Sequence, residues 1–127
     1  MELHVNLLVS VNMPIVLIST DSVNNSLSDF KNMTNQIDIV IESTDPRSRV
    51  ISNYINENTL IINRLSTESL SPRTENESDE DVYIRFQAVV NTMRSLNVSN
   101  GIIISHHNVI NTWKPDIIDQ EWQIIEM

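Results

Sequence analysis

Four short runs of β-branched residues constrain this chain most. They lie at 15–18 (Ile-Val-Leu-Ile), 37–41 (Ile-Asp-Ile-Val-Ile), 60–62 (Leu-Ile-Ile) and 102–104 (Ile-Ile-Ile). A strand with one wet face alternates apolar and polar residues. A run that is apolar on successive residues suits a strand covered on both faces, as in a parallel sheet flanked by helices. Residues 3–11 offer another strand, and 122–126 (Trp-Gln-Ile-Ile-Glu) a last one at an edge.

Helical patterns fall between these runs. The clearest spans about 79–96, where Val82, Phe86, Val89, Met93 and Leu96 recur at spacings of four, three, four and three. Ser78 suits the N-cap, and Asp79, Glu80 and Asp81 place negative charge where the helix dipole favours it. A second helix starts at Pro46, a good first-turn residue, and runs through Val50, Ile51, Tyr54 and Ile55. A weaker pattern covers 26–34. Residues 66–78 read as one polar loop that ends in the acidic cluster 75–81. The predicted fold is therefore α/β, a three-layer sandwich with a mostly parallel central sheet. It forms a single domain over 1–127, with its core in about 14–127.

Composition removes many functions. The chain has no cysteine, which excludes disulfides, thiol redox chemistry and Cys-ligated zinc. One glycine in 127 residues leaves no P-loop and no Rossmann fingerprint. The net charge of −9, from 17 acidic and 8 basic residues, opposes direct binding to a nucleic acid backbone. No run approaches the roughly 20 apolar residues of a membrane span, and the first residues lack the basic start of a signal peptide. The expectation is an intracellular protein, cytoplasmic or nuclear, without a membrane partner. No metal or cofactor is expected: His4, His106 and His107 are too few for an all-histidine site. A shared site at His106 and His107 would need Asp21 or Asp45 as well. The four Asn-x-Ser/Thr sequons carry no weight without a secretory route.

The most informative stretch is Gly101-Ile-Ile-Ile-Ser-His-His-Asn-Val-Ile110. It puts an imidazole at the carboxyl end of a buried strand, where open α/β sheets keep their sites. This stretch resembles the second histidine motif of the histidine phosphatase (phosphoglycerate mutase-like) superfamily, Ser-His-Gly-Gly-Val-Ile. Ile37-Asp-Ile-Val-Ile-Glu-Ser-Thr-Asp-Pro-Arg47 is similar to the family's strand and turn, and places Arg47 on its phosphate-binding arginine. Glu77-Ser78, with Asp81-Val82 and Arg85 after it, is similar to the Glu-Ser that opens the helix before the last core strand. The resemblance covers about 14–112, with the pieces in the family's order.

The family's Arg-His-Gly nucleophile motif is missing. Ser19 stands at the arginine, Thr20 at the histidine that becomes phosphorylated, and Asp21 at the glycine. A phosphoryl group needs cationic donors, so Ser19 removes a clamp and Asp21 adds repulsion. The general acid falls near Thr67, which leaves Glu68 as an off-register candidate. Only sixteen residues separate Asp21 from Asp38, so most of the family's first helical insert is absent.

The resemblance therefore implies a vestigial pocket of Ser19, Thr20, Asp21, Arg47 and His106, in a catalytically inactive member serving as a protein-interaction or scaffold subunit. Degenerate members of the superfamily occur in larger assemblies, including a subunit of an RNA polymerase III transcription factor. The expected partners are other protein subunits, with phosphate or a phospho-ligand as a further candidate. The alternative is a small phosphatase, or a phospho-ligand-binding protein, with a reduced site around His106 and Arg47. A Thr20–His106 hydroxyl–base pair is a narrower option. The bland option is that Arg47 and His106 pair with Asp21, Asp45 or backbone carbonyls and only hold strand-end loops. Ser71-Pro72 adds a weak phosphorylation signal. Trp113 and Trp122 suit core cover, or a binding patch with Ile117 and Ile118 if exposed.

Overall fold

The computed structural model describes residues 15–20, 36–57, 59–96, 100–115 and 122–125, and of Trp122–Ile125 only the backbone. The described elements are β1 (Ile15–Ser19), β2 (Gln36–Ser43), α1 (Pro46–Asn56), β3 (Leu60–Thr67), a 3-10 turn (Glu68–Leu70), α2 (Asp79–Ser95), β4 (Gly101–Ser105), α3 (His107–Trp113) and β5 (Trp122–Ile125). The expected strand at 3–11 and helix at 26–34 lie outside the described residues, as do Asp21, Ile117 and Ile118.

The fold is α/β. The five strands form one sheet in the order β3-β2-β4-β1-β5. The first four are parallel, and β5 runs antiparallel to β1. β4 thus lies between β1 and β2, with Ile103 beside Leu17 on one side and Ile41 on the other.

Burial on both faces explains the unbroken apolar runs. Ile15, Leu17, Ile39, Ile41 and Ile103 point to one face, where Val82, Phe86, Val89, Val90 and Met93 of α2 and Val109 and Ile110 of α3 cover them. Val16, Ile18, Val40, Ile102 and Ile104 point to the other face, against Ile51 and Ile55 of α1. Each fully buried aliphatic side chain contributes about 1.5–3 kcal/mol of transfer free energy, so these two clusters hold the helices to the sheet.

The helix ends follow from their sequences. Ser78 caps α2 with a reciprocal capping box: its hydroxyl accepts from Asp81 N, and the Asp81 carboxylate accepts from Ser78 N. Asp45 caps α1 just ahead of Pro46. Glycine in this chain answers to space. A Cβ on Gly101 would sit 2.7 Å from the Sδ of Met93, so the α2 side chain lies where any larger residue would project.

One expectation is corrected and another is met. The polar loop begins at Ser71 rather than 66, because Ser66 and Thr67 complete β3 and the next three residues form the 3-10 turn. Fully buried Leu70 anchors that turn, and its carbonyl accepts the Ser105 hydroxyl at 2.8 Å. Trp113 stacks 4.9 Å from Phe86 and donates to Gln87, which makes it core cover.

One buried ionic cluster ties three elements together. Glu42, 1% exposed, pairs with Arg49 of α1 at 3.1 Å and lies 3.7 Å from Arg64 of β3. It also accepts the Ser52 hydroxyl at 3.0 Å.

Candidate functional site

Three parallel strands end side by side and deliver the site. Thr20 follows β1, Ser43 closes β2, and His106 follows β4. Helices cover opposite faces of the sheet after β2 and β3, so the strand ends open into the kind of crevice where α/β sheets place ligands.

His106 is buried, and both ring nitrogens are engaged. Nδ1 lies 2.9 Å from the Thr20 hydroxyl and 3.4 Å from Nη2 of Arg47. Nε2 lies 3.0 Å from the Ser43 hydroxyl. A guanidinium only donates, so Nδ1 carries the lone pair. By this argument the proton sits on Nε2 and is donated to Ser43, and the Thr20 hydroxyl donates to Nδ1. Ser43 also accepts from Asp45 N at 3.0 Å.

Arg47 is folded back onto its own helix cap. Its Nε donates to Asp45 Oδ1 and its Nη2 to Asp45 Oδ2, both at 3.1 Å. Asp45 Oδ1 also accepts from Arg47 N at 2.9 Å. The Arg47 guanidinium, first, and this backbone bond lower the Asp45 carboxyl to a pKa of about 2. The bland expectation named Asp45 as a partner for Arg47, and this is the pairing observed.

Thr20, Arg47, Pro72, His106, His107 and Asn108 line a cleft of about 290 Å³. The structure thus brings Thr20, Arg47 and His106 together. Ser19 is buried at the end of β1 and does not line the cleft. Glu68 is exposed on the 3-10 turn and does not line it either. Ser43 escaped the sequence reading. Its only signal was its place, a hydroxyl three residues ahead of a helix-starting proline at a strand end. Among the described residues no three His, Asp or Glu side chains are grouped to hold a metal ion.

Chemically, the cleft pairs an imidazole lone pair with a threonine hydroxyl and sets one arginine beside them. A serine, rather than a carboxylate, orients the imidazole. Glu77 lies away from the cleft: Arg85 donates to it at 2.7 and 3.0 Å and also reaches the Ser69 carbonyl at 2.7 Å. That guanidinium, first, and the Thr74 N–H hold the Glu77 pKa at about 2.

No protein-family model matches the chain, and no curated protein matches it. Among the described residues no helix is long and apolar enough to cross a membrane.

Proposed function

We propose that this chain is a histidine-phosphatase-like domain, a three-layer sandwich without phosphatase turnover, that serves as a protein-interaction or scaffold subunit inside the cell. A larger assembly such as transcription machinery is the setting that the resemblance favours. One observation carries the reading. At the position of the phosphorylated histidine stands Thr20, whose hydroxyl is turned into His106, while Arg47 is occupied by Asp45. A secondary hydroxyl without a carboxylate-oriented base is a weak nucleophile. An arginine closed on its own carboxylate binds phosphate only by giving up that pair.

Incubation with an aryl phosphate tests this reading. The expected result is no release of the phenol that His106→Ala removes. Turnover abolished by His106→Ala overturns the inactive assignment. The scaffold role predicts that the tagged chain elutes from its native cells in a stable complex far above its 14.6 kDa. Elution as a monomer overturns it.

The cleft also favours a second reading, retention of a phospho-ligand without chemistry, because Arg47, His107 and Asn108 face the same space. Titration with inorganic phosphate, followed by the imidazole signals of His106 and His107, tests it. Saturable shifts that Arg47→Ala abolishes support it, and unmoved signals at millimolar phosphate overturn it.

A further inference from the structure

We propose that Ser71 is a phosphorylation site whose phosphate folds back into the cleft of Thr20, Arg47 and His107. Ser71 would accept the phosphoryl group from a proline-directed kinase and a nucleoside triphosphate. The Ser71 Oγ–P bond forms, the bond from the γ-phosphorus to the bridging oxygen breaks, the diphosphate leaves, and the hydroxyl proton passes to the kinase's base.

The argument starts from placement. Ser71-Pro72 is the single Ser-Pro or Thr-Pro pair in the chain. Ser71 is partly exposed at the start of an irregular segment, with φ −66° and ψ 160°. That is the extended backbone a following proline enforces, and the form in which kinases take a substrate strand. Buried Leu70, one residue earlier, pins the segment to the strand-end side of the sheet. Pro72, one residue later, lines the cleft itself.

The surroundings suit a phosphate better than a hydroxyl. Ser71 Oγ lies 3.2 Å from Thr44 Oγ1, next to the Asp45 cap and Arg47. Once phosphorylated, residue 71 offers only acceptors, so the Thr44 hydroxyl turns to donate. A phosphoserine carries about −1.5 to −2 charges at neutral pH and competes for arginine more strongly than one carboxylate. The Arg47 side chain is 57% exposed, which leaves it room to turn from Asp45 to the phosphate. His107 and Asn108 add donors on the far side. Asp45 and Glu68 oppose docking by charge, while Arg47 favours it; Arg73 is already held by Asp79 and the Glu77 carbonyl. The phosphate tether makes the encounter intramolecular, which raises its effective concentration to the millimolar range.

The proposal uses the phosphate-accepting cleft of the second reading above but not its free ligand, and the test separates the two. In the first arm, the full chain is incubated with a proline-directed kinase and ATP and mapped by mass spectrometry. One phosphoryl group on Ser71, absent from Ser71→Ala, is expected. A chain left unmodified at Ser71 overturns the modification site. In the second arm, phosphoserine is installed at position 71 during translation and titrated by phosphorus NMR. Docking lowers its second pKa by about one unit relative to the same phosphoserine in Arg47→Ala. Equal titration in the two chains overturns docking. Inorganic phosphate added to the unmodified chain reports the free-ligand reading separately.

Discussion

At the residue scale, the site is two hydroxyls, an imidazole and an arginine that satisfy one another. His106→Ala takes the imidazole partner from buried Ser43, which keeps only its bond from Asp45 N, and from part-buried Thr20. An unsatisfied buried group costs about 1–3 kcal/mol, and the lost ring volume adds to it. The expected loss is about 3 kcal/mol in urea unfolding, and a loss below about 0.5 kcal/mol contradicts the bonded geometry. Glu77 offers a pH test. Its carboxyl titrates near 4.5 when unfolded and near 2 when folded. The folded value is the lower one, so its contribution is complete above about pH 4.5 and is lost as pH falls toward 2. Melting temperature should therefore drop more steeply across that window in the wild type than in Glu77→Gln. His106 was legible because an imidazole stands out at the end of a buried strand, while Arg47, in the first turn of α1, was singled out only by the family resemblance. Ser43 was not legible, since a serine closing a strand has no distinguishing pattern until the fold sets it against His106.

At the scale of elements, legibility followed burial. α2 was readable almost to the residue, because an amphipathic stripe, a capping serine and an acidic first turn agree. Ser78→Ala removes that cap and should cost about 1 kcal/mol by chemical denaturation, with the slope unchanged. β3 was read as three residues and has eight, because Asn63 and Arg64 interrupt its apolar pattern. It lies at an edge of the sheet, where polar side chains are tolerated. α3 was missed because seven residues give too few turns for a helical period to show. The contact between α2 and β4 gives a paired test. Gly101→Ala forces Met93 aside and should cost about 1–3 kcal/mol. Met93→Ala, which opens the space, should make the added methyl nearly free; equal cost in both backgrounds refutes the close approach.

For the molecule as a whole, the mostly parallel α/β order was legible because four β-branched runs alternate with helical segments. The placing of β4 between β1 and β2 was not, since nothing local in a strand names its neighbours. The Glu42 cluster joins β2, α1 and β3 in the same nonlocal way. Removing one member of a buried ion pair costs about 3–5 kcal/mol, and the half-exposed Arg49 softens this, so Glu42→Gln should cost about 2 kcal/mol by thermal unfolding. A change under about 0.5 kcal/mol would show the cluster to be solvated.

The position of His106 carries a consequence for assembly of the chain. Its two hydroxyl bonds span 86 and 63 residues of sequence, so neither forms until β4 lies between β1 and β2. Closing such distant contacts is the slow part of folding a parallel sheet. The imidazole is thus a built-in gauge of completion: its ring signals in a refolding chain mark when the last central strand arrives, whatever the cleft later holds.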